Sequence, residues 1–320
     1  MMSLSVEDLY VRYHIDKKLT VYAINGVSFG IEKGDSLGII GETGSGKTTI
    51  ANTILRVLPP SAEVKGRITF EGEDILSMNQ KEFRRKIRWK KISMVAQYSM
   101  NALNPIKRVG EQLVSIYLEH VDASKEDAVN RILSLFKELN ISEDIFFKYP
   151  DELSGGQKQR VVIASALMLN PDLVIADEPT TALDVINQAR VLALLKKEIL
   201  NKGKSLIYIT HDIAVVAGIA NKLMTLYAGK VMEFGDAREI FKDPMHPYTR
   251  GLLASVPSIA NGRPKEIGYI KGDPPNQYVE IKGCPFYERC PMAMDICKEK
   301  YPEPVQVGKR VVYCHAVSKK

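Results

Sequence analysis

Three short apolar runs along the chain each lead into polar residues. The runs cover Ser36–Ile40, Leu173–Ala176 and Ser205–Thr210, and helical patterns separate them. Continuous apolar runs of this length are typical of strands buried in a parallel sheet. In such sheets, ligands bind at the carboxyl ends of the strands. The polar residues that follow the three runs are therefore predicted to lie at one edge of a parallel sheet.

Other segments follow different patterns. Ser3–Val11 and Ala23–Ile31 alternate apolar and polar residues, and Val64–Phe70 is rich in strand-forming residues. These segments predict an N-terminal antiparallel sheet. The apolar spacing over Ser99–Lys148 is helical, which predicts a helical subdomain. After Gly235 prolines become frequent, which predicts a loop-rich C-terminal appendage.

The first apolar run leads into a glycine-rich segment, here called the phosphate loop. Its residues match the phosphate-binding pattern at every fixed position and are Gly41, Glu42, Thr43, Gly44, Ser45, Gly46, Lys47 and Thr48. Glycines let backbone amides face phosphate oxygens, and the helical run over 49–58 adds the positive end of a helix. We expect Lys47 to bind the β- and γ-phosphates and Thr48 to ligate Mg²⁺.

These patterns predict an α/β fold with several parts. We expect a P-loop NTPase core with a parallel sheet, an N-terminal antiparallel β-subdomain, an inserted helical subdomain and a loop-rich C-terminal appendage. The predicted limits are 1–97 and 158–235 for the core with its antiparallel subdomain, 98–157 for the helical subdomain and 236–320 for the appendage. A chain of 320 residues exceeds the size at which one hydrophobic core usually stops growing.

Candidate catalytic residues follow the other apolar runs. After the second run we expect Asp177 to hold Mg²⁺, directly or through water, and Glu178 to polarise the attacking water. His211 follows the third run and is predicted to contact the γ-phosphate. Gln97 ends the run Ile92–Ala96 and is expected to reach both Mg²⁺ and the attacking water. Together these residues predict hydrolysis of ATP with Mg²⁺.

A second phosphate-binding element lies between the phosphate loop and Asp177. The segment Ser154, Gly155, Gly156 and Gln157 fits the capping box Ser-x-x-Gln, in which both side chains satisfy amides at the start of a helix. A helix start with free amides also binds a phosphate well. Two such elements predict a nucleotide clamped from two sides.

The order of these motifs resembles the ATP-binding-cassette ATPases of membrane transporters. The resemblance spans roughly residues 3–235 and includes Leu153–Gln157, Leu173–Glu178 and Thr181–Asp184. It implies a head-to-tail dimer around two ATP molecules, each held by the phosphate loop of one subunit and the Ser154 helix start of the other. It also implies that Gln97 is the switch-loop glutamine and that Asp184 belongs to a loop crossing the dimer interface.

The same resemblance implies that Tyr13 stacks on the adenine ring. Stacking against a flat base needs an aromatic face, which Tyr10 and Tyr22 also offer. The spacing alone does not choose among the three.

The charge and the apolar runs of the chain indicate whether it binds nucleic acid and where in the cell it is located. The net charge of +6 is spread along the chain, and its short basic clusters are more typical of a solvated face than of a nucleic-acid patch. The start has no signal-peptide pattern, and the apolar runs fall short of the ~20 residues that span a bilayer. We therefore expect a cytosolic or peripheral protein whose work at a membrane is done through partners, and the resemblance implies a peripheral position at the cytoplasmic face of the membrane.

All four cysteines, Cys284, Cys290, Cys297 and Cys314, lie near the C-terminus. Their spacing lacks the close pairs of common zinc modules, whereas four thiolates suit an iron–sulfur cluster, and zinc stays a competitor. The segments His246–Leu253, Gly283–Phe286 and Arg289–Pro291 make the chain similar to the oligopeptide/dipeptide/nickel permease ATPase subfamily. That resemblance implies a [4Fe–4S] cluster on the four cysteines.

The resemblance implies the ATP-hydrolysing subunit of a membrane solute importer. Its expected partners are a second homologous ATPase in a heterodimer, two integral membrane permease subunits and, indirectly, an extracytoplasmic solute-binding protein, with no nucleic acid. The transported solute could be a peptide, nickel or an oligosaccharide, with a peptide favoured first and nickel second. After Gln97 the chain reads Tyr98–Pro105, which departs from the expected Asp-Pro-type start of a region facing the membrane subunit. The alternative is a soluble cassette ATPase acting on nucleic acid.

Overall fold

The computed structural model describes residues 2–16, 19–97, 102–181, 183–256, 259–260, 263–264 and 268–318. Part of the segment that departs from the expected pattern after Gln97, residues 98–101, lies outside the described residues, as does Ala182 in the predicted interface loop.

The strands are β1 (Met2–His14), β2 (Thr20–Glu32), β3 (Ser36–Ile40), β4 (Ala62–Phe70), β5 (Glu73–Asp74), β6 (Ile92–Val95), β7 (Leu173–Asp177), β8 (Ser205–Ile209), β9 (Lys222–Tyr227), β10 (Lys230–Asp236), β11 (Ile259–Ala260), β12 (Arg263–Pro264), β13 (Val305–Val307) and β14 (Arg310–Val312). The α-helices are α1 (Lys47–Ile54), α2 (Gln80–Lys86), α3 (Val109–His120), α4 (Lys125–Glu138), α5 (Gly155–Leu167), α6 (Val185–Glu198), α7 (Ile213–Ile219), α8 (Ala237–Lys242), α9 (Pro247–Ala254), α10 (Asp295–Glu299) and α11 (His315–Ser318). Short 3₁₀ turns cover Glu143–Phe147, Pro150–Glu152, Leu200–Lys202 and Tyr287–Arg289.

The chain forms two compact units. Unit 1 combines residues 1–76 with residues 208–320, and unit 2 comprises residues 77–207. The domain limits predicted above were placed at sequence motifs, whereas these two units are defined by contacts between residues. The predicted limits therefore stay a prediction.

The N-terminal part of unit 1 is an antiparallel sheet. Its strand order is β2-β1-β4-β5, and Val6 pairs with both Phe29 and Ile68 across the central strand. Leu4 and Val11 are both fully buried although they are an odd number of positions apart, because register shifts after Val6 change the alternation along β1. The predicted antiparallel sheet is confirmed.

The phosphate-loop strand lies in a second sheet of unit 1. All five residues of β3 are buried, and β3 pairs in parallel with β9. Strand β9 pairs antiparallel with β10, and the C-terminal strands β14 and β13 extend the sheet from β10. The C-terminal appendage therefore contributes two regular strands to this sheet besides its proline-rich loops.

Unit 2 combines the parallel strand pair β6–β7 with helices. Helix α4 buries Ala128, Ile132, Leu135 and Phe136 on one face, which is the helical spacing that the sequence predicted. The α/β class with a helical segment is confirmed. Among the described residues, we find no helix with the length and apolar character needed to cross a bilayer.

Candidate functional site

The phosphate loop connects β3 to α1 through a backbone turn that excludes side chains. Gly46, the residue before α1, has a φ of 101°. A Cβ atom on Gly46 would lie 2.6 Å from the Cδ1 atom of Ile24 and 2.7 Å from the carbonyl oxygen of Ala23. Both the φ value and this close packing require glycine at position 46.

Lys47 folds back over the phosphate loop. Its Nζ donates to the carbonyl oxygen of Gly41 at 2.8 Å and to that of Glu42 at 2.9 Å, and the residue is only 8% exposed. Thr43, Gly44 and Thr48 are exposed on the loop surface. This arrangement fixes the ammonium group within the loop, and the role of the exposed Thr48 as a Mg²⁺ ligand stays a prediction.

Residues far along the sequence hold the phosphate loop from outside. The backbone N–H of Glu42 donates to the Tyr248 hydroxyl at 2.9 Å, and the Gln277 side-chain amide donates to the Gly44 carbonyl. Arg289 Nη1 donates to both carboxylate oxygens of Glu42, at 3.1 and 2.8 Å. The sequence did not predict these contacts, because each residue lies more than 200 positions from its partner; the motifs that contain Tyr248 and Arg289 pointed to the subfamily and not to the phosphate loop.

The three aromatic candidates for adenine stacking have different surroundings. The Tyr13 hydroxyl donates to Thr49 Oγ1 in α1 at 3.3 Å, next to the phosphate loop. Tyr10 lies against Gly26, and the Tyr22 ring lies under the Arg12 guanidinium at 5.0 Å. Proximity to the loop helix therefore favours Tyr13, whose role stays a prediction.

His211 lies in unit 1 with the phosphate loop. The backbone N–H of Thr210 donates to the carbonyl oxygen of Ile39 at 3.3 Å, which places the residue before His211 beside the end of β3. Asp212 follows and caps α7 by accepting from the amide of Ala214 at 3.0 Å. His211 and the phosphate loop thus start at the same end of the unit 1 strands.

The predicted acids and Gln97 lie together in unit 2. Strands β6 and β7 pair in parallel with Val95 opposite Ala176, so both strands end at the same edge. Gln97 Nε2 donates to Glu178 Oε2 at 3.1 Å, and Thr181 Oγ1 donates to the same oxygen at 2.9 Å. Asp177 is 1% exposed. The structure therefore fixes the Glu178 carboxylate at a strand edge beside a buried acid.

Helix α5 starts with the predicted capping box. Ser154 Oγ accepts from the amide of Gln157 at 3.4 Å, and Gln157 Oε1 accepts from the amide of Ser154 at 2.9 Å. Gln159 Nε2, further along the helix, donates to the carbonyl oxygen of Pro179 at 2.6 Å. The second phosphate-binding element is therefore attached to the segment that follows Glu178.

A cavity of about 420 Å³ in unit 2 joins this helix start to the predicted interface loop. Its lining includes Ser154, Gly155, Gly156, Gln157, Asp184 and the side chains of Arg160 and Arg190. Asp184 caps α6 by accepting from the amide of Asn187 at 2.9 Å, and this bond lowers the pKa of its carboxyl. Two arginines and a helix start suit an anionic ligand.

The four cysteines lie in the C-terminal part of unit 1, and each is a thiol outside any disulfide bond. Cys284 and Cys297 belong to a buried cluster with Tyr227, Tyr248 and Phe286, and Cys290 packs against it. Burial is the main cause that raises the pKa of Cys284 to about 12, and the charges of the other three cysteines contribute to the same shift. Among the residues that the structure describes, we find no set of three or more His, Cys, Asp or Glu side chains placed to hold a metal ion.

Two protein families match the sequence. The family described as ABC transporter matches residues 24–181, and the family described as Oligopeptide/dipeptide transporter, C-terminal region, matches residues 232–297. The second match overlaps the region that supplies Tyr248 and Arg289 to the phosphate loop.

Individual proteins resemble the chain over nearly its whole length. The dipeptide transport ATP-binding protein DppD of Bacillus subtilis is 43% identical and covers 97% of this chain and 93% of its own. The oligopeptide transport ATP-binding protein OppD of Escherichia coli is 42% identical, and the match covers 93% of this chain and 88% of OppD.

A solved structure also resembles the chain over a shorter part. It is a dimeric, post-hydrolysis ATP-binding cassette bound to ADP and Pi, and it is 30% identical with a TM-score of 0.64. The match covers 73% of this chain and 98% of that one.

Proposed function

The chain belongs to the ABC transporter ATPases, and on this premise we propose that it powers a peptide importer. Its relatives from Bacillus subtilis and Escherichia coli are named for dipeptide and oligopeptide transport. Both relatives match the C-terminal as well as the cassette region, which supports the same cargo class for this chain. Peptide import also fits the match of residues 232–297 to the oligopeptide/dipeptide C-terminal family.

In the proposed reaction, each site residue acts on ATP and its Mg²⁺. The phosphate loop and Lys47 would bind the β- and γ-phosphates, while Thr48, Asp177 and Gln97 would hold Mg²⁺, which neutralises phosphate charge. Glu178 polarises the attacking water, Gln97 orients it, and His211 contacts the γ-phosphate. Tyr13 stacks on the adenine.

The observation that carries the hydrolytic function is the bond between Gln97 and Glu178 at the end of two parallel strands. A water-polarising carboxylate must be held in one orientation to act on a single water molecule. Gln97 and Thr181 hold the Glu178 carboxylate in this way, and Asp177 lies directly before it.

We propose that the partner is a second, homologous ATPase. In such a head-to-tail pair, the cavity lined by Ser154–Gln157 and Asp184 would face the γ-phosphate bound by the partner. Two permease subunits would hold the pair at the cytoplasmic face of the membrane, and an extracytoplasmic binding protein would deliver the solute. Release of the γ-phosphate would remove the charge that joins the two subunits.

The test is ATP hydrolysis by the full complex in proteoliposomes. The chain would be co-purified with its membrane subunits and partner ATPase, and Pi release measured with added binding protein. We expect dipeptides or oligopeptides to raise the rate and Lys47→Ala to abolish it. Stimulation by Ni²⁺ or by an oligosaccharide instead of peptides would replace the cargo proposal, and unchanged hydrolysis in Lys47→Ala would contradict the site.

We further propose that Cys284, Cys290, Cys297 and Cys314 bind a [4Fe–4S] cluster, which takes one thiolate per iron. The type of donor fits, although the described side chains are not grouped around one metal ion: the thiols are half-buried to buried, and the amide of Met292 donates to the Cys290 sulfur at 3.4 Å. Burial raises the pKa of the Cys314 thiol, and the amides of Ala316 and Val317 oppose this rise. Such N–H groups stabilise thiolates, the form that binds metal.

Anaerobic purification tests the cluster. We expect a broad visible absorption that dithionite bleaches, with about four irons and four sulfides per chain. Replacing Cys297 with serine should remove most of this iron. A colourless chain with one equivalent of zinc would show that the four thiols hold zinc instead.

A further inference from the structure

Glu42 places a negative charge inside the loop that binds phosphate. Its side chain is 24% exposed, whereas that of its partner Arg289 is 8% exposed. Charges act more strongly on each other in such partly buried surroundings than in water. Without a partner, the Glu42 carboxylate would repel the phosphate oxygens that the loop has to bind.

Arg289 is held ready for this carboxylate by groups of its own region. Its Nε donates to the carbonyl oxygen of Lys271 at 2.9 Å, and Nη2 donates to that of Ile270 at 3.3 Å. Nη1 donates to the Tyr227 hydroxyl at 2.9 Å as well as to Glu42. A guanidinium fixed on several sides loses little conformational freedom when it pairs with a carboxylate.

The same aromatic cluster also fixes the backbone of Glu42. The Tyr227 and Tyr248 rings pack with their centroids 4.6 Å apart, and the Tyr248 hydroxyl accepts the amide of Glu42. Tyr227 contacts Arg289, which contacts the Glu42 carboxylate. One cluster therefore sets both the main chain and the side chain of this loop residue.

We propose that Arg289 is a positioning residue for nucleotide binding. It neutralises Glu42 and keeps the phosphate loop in its binding conformation. This inference rests on the proposed binding of ATP by the loop. The affinity for nucleotide therefore depends on Arg289 of the C-terminal region as well as on the residues of the phosphate loop.

The test is the affinity of the full chain for mant-ADP with Mg²⁺, measured by fluorescence titration. Arg289→Met should bind about 10-fold more weakly, the size expected when a charge-assisted hydrogen-bonded pair is broken. In the double variant Arg289→Met with Glu42→Gln, affinity should return to within about threefold of the wild type, because the unpaired charge is gone. A purely structural role of Arg289 in its own region predicts no such recovery.

Arg310→Met is the matched control. Arg310 lies in the same region with a side chain that is also 8% exposed, and it pairs with Glu233 and Asp243. Its loss should leave mant-ADP affinity within about twofold of the wild type. Circular dichroism establishes that each variant is folded.

If Arg289→Met does not fold, the mant-ADP affinity of Glu42→Asp tests the same ion pair without changing the C-terminal region. The shorter side chain keeps its charge and withdraws from Arg289, so affinity should fall about fivefold. Wild-type affinity in folded Arg289→Met or in Glu42→Asp, or a double variant as weak as Arg289→Met, overturns the inference. A wild-type chain that does not bind mant-ADP contradicts the proposed ATP function itself.

Discussion

At the scale of single residues, Glu178 combines an unusual backbone with a fixed side chain. Its φ is 46°, a left-handed value that costs a non-glycine residue of order 1–3 kcal/mol. The backbone N–H of Thr181 donates to the Glu178 carbonyl oxygen at 3.2 Å, so a tight turn follows β7. This turn directs the carboxylate toward Gln97.

Replacing Glu178 with glutamine tests its role as the base. The amide keeps the size of the side chain and removes the group that polarises water, so hydrolysis should fall about 10²–10⁴-fold. Affinity for ATP should stay at the wild-type value. Pi release and mant-ATP titration measure the two quantities, and hydrolysis at the normal rate would falsify the assigned role.

Gly46→Ala should abolish nucleotide binding, because its Cβ has no room in the loop. Gly72→Ala is the matched control: Gly72 has a φ of 88°, but nothing lies within 4 Å of an added Cβ. The control should cost about 1 kcal/mol of stability through backbone strain alone and leave binding intact. Equal loss of mant-ADP binding in both variants would show that strain, rather than the shape of the loop, is responsible.

At the scale of elements, two helices of unit 2 begin with the same device. Ser124 starts α4 and Ser154 starts α5, each with a complete capping box. Only the α5 box lines the cavity with Asp184 and the two arginines. Substitutions at Ser124 and Ser154 can therefore be compared to separate the effect of losing a helix cap from the effect of losing a ligand site.

Ser154→Ala and Ser124→Ala should each lower stability by about 1 kcal/mol, the usual value of an N-cap. Ser154→Ala should in addition reduce ATP hydrolysis by the assembled complex at least about 10-fold, because the γ-phosphate loses a donor. Ser124→Ala should hydrolyse ATP normally. Urea unfolding and Pi release measure these effects, and normal hydrolysis in Ser154→Ala would remove α5 from the site.

Most elements could be predicted from local pattern, whereas their ends and distant contacts could not. The buried run Ser36–Ile40 and the capping box at Ser154 are local signals, and both are found. Helix α1 stops at Ile54 instead of extending over 49–58, because Arg56 has a φ of 52° and two prolines follow at 59 and 60. The contact of Arg289 with Glu42 spans 247 positions, and no periodicity encodes it.

At the scale of the whole molecule, unit 1 buries ionisable groups within its C-terminal segment, residues 208–320. His246 is 1% exposed, and its Nδ1 accepts from the amide of Tyr248 at 3.0 Å. Burial, aided by the charge of Arg250, lowers the pKa of His246 to about 3. Glu233 is fully buried, and burial raises its pKa although the amides of His246 and Met245 and the Arg310 charge oppose the shift.

Stability should therefore depend on pH through His246. Because the folded pKa lies below the unfolded value of 6.5, the unfolded chain binds the proton first, and stability falls as pH drops below 6.5. The loss between pH 7 and pH 5 should be about 2 kcal/mol. His246→Asn keeps a helix-capping side chain and should remove this loss in urea unfolding at the two pH values, whereas an unchanged pH dependence would contradict the assignment.

The pairing of β3 with β9 also bears on how the chain is made. Ser36 at the start of β3 bonds to Asn221, 185 positions later. At a synthesis rate of about 5–20 residues per second, roughly 10 to 40 s separate the emergence of these two residues from the ribosome. During that interval β3, which is fully buried in the folded protein, and the phosphate loop lack the neighbouring strand β9, because it has not yet been translated. We therefore expect nascent chains that end before Lys222 to bind chaperones and to lack nucleotide affinity.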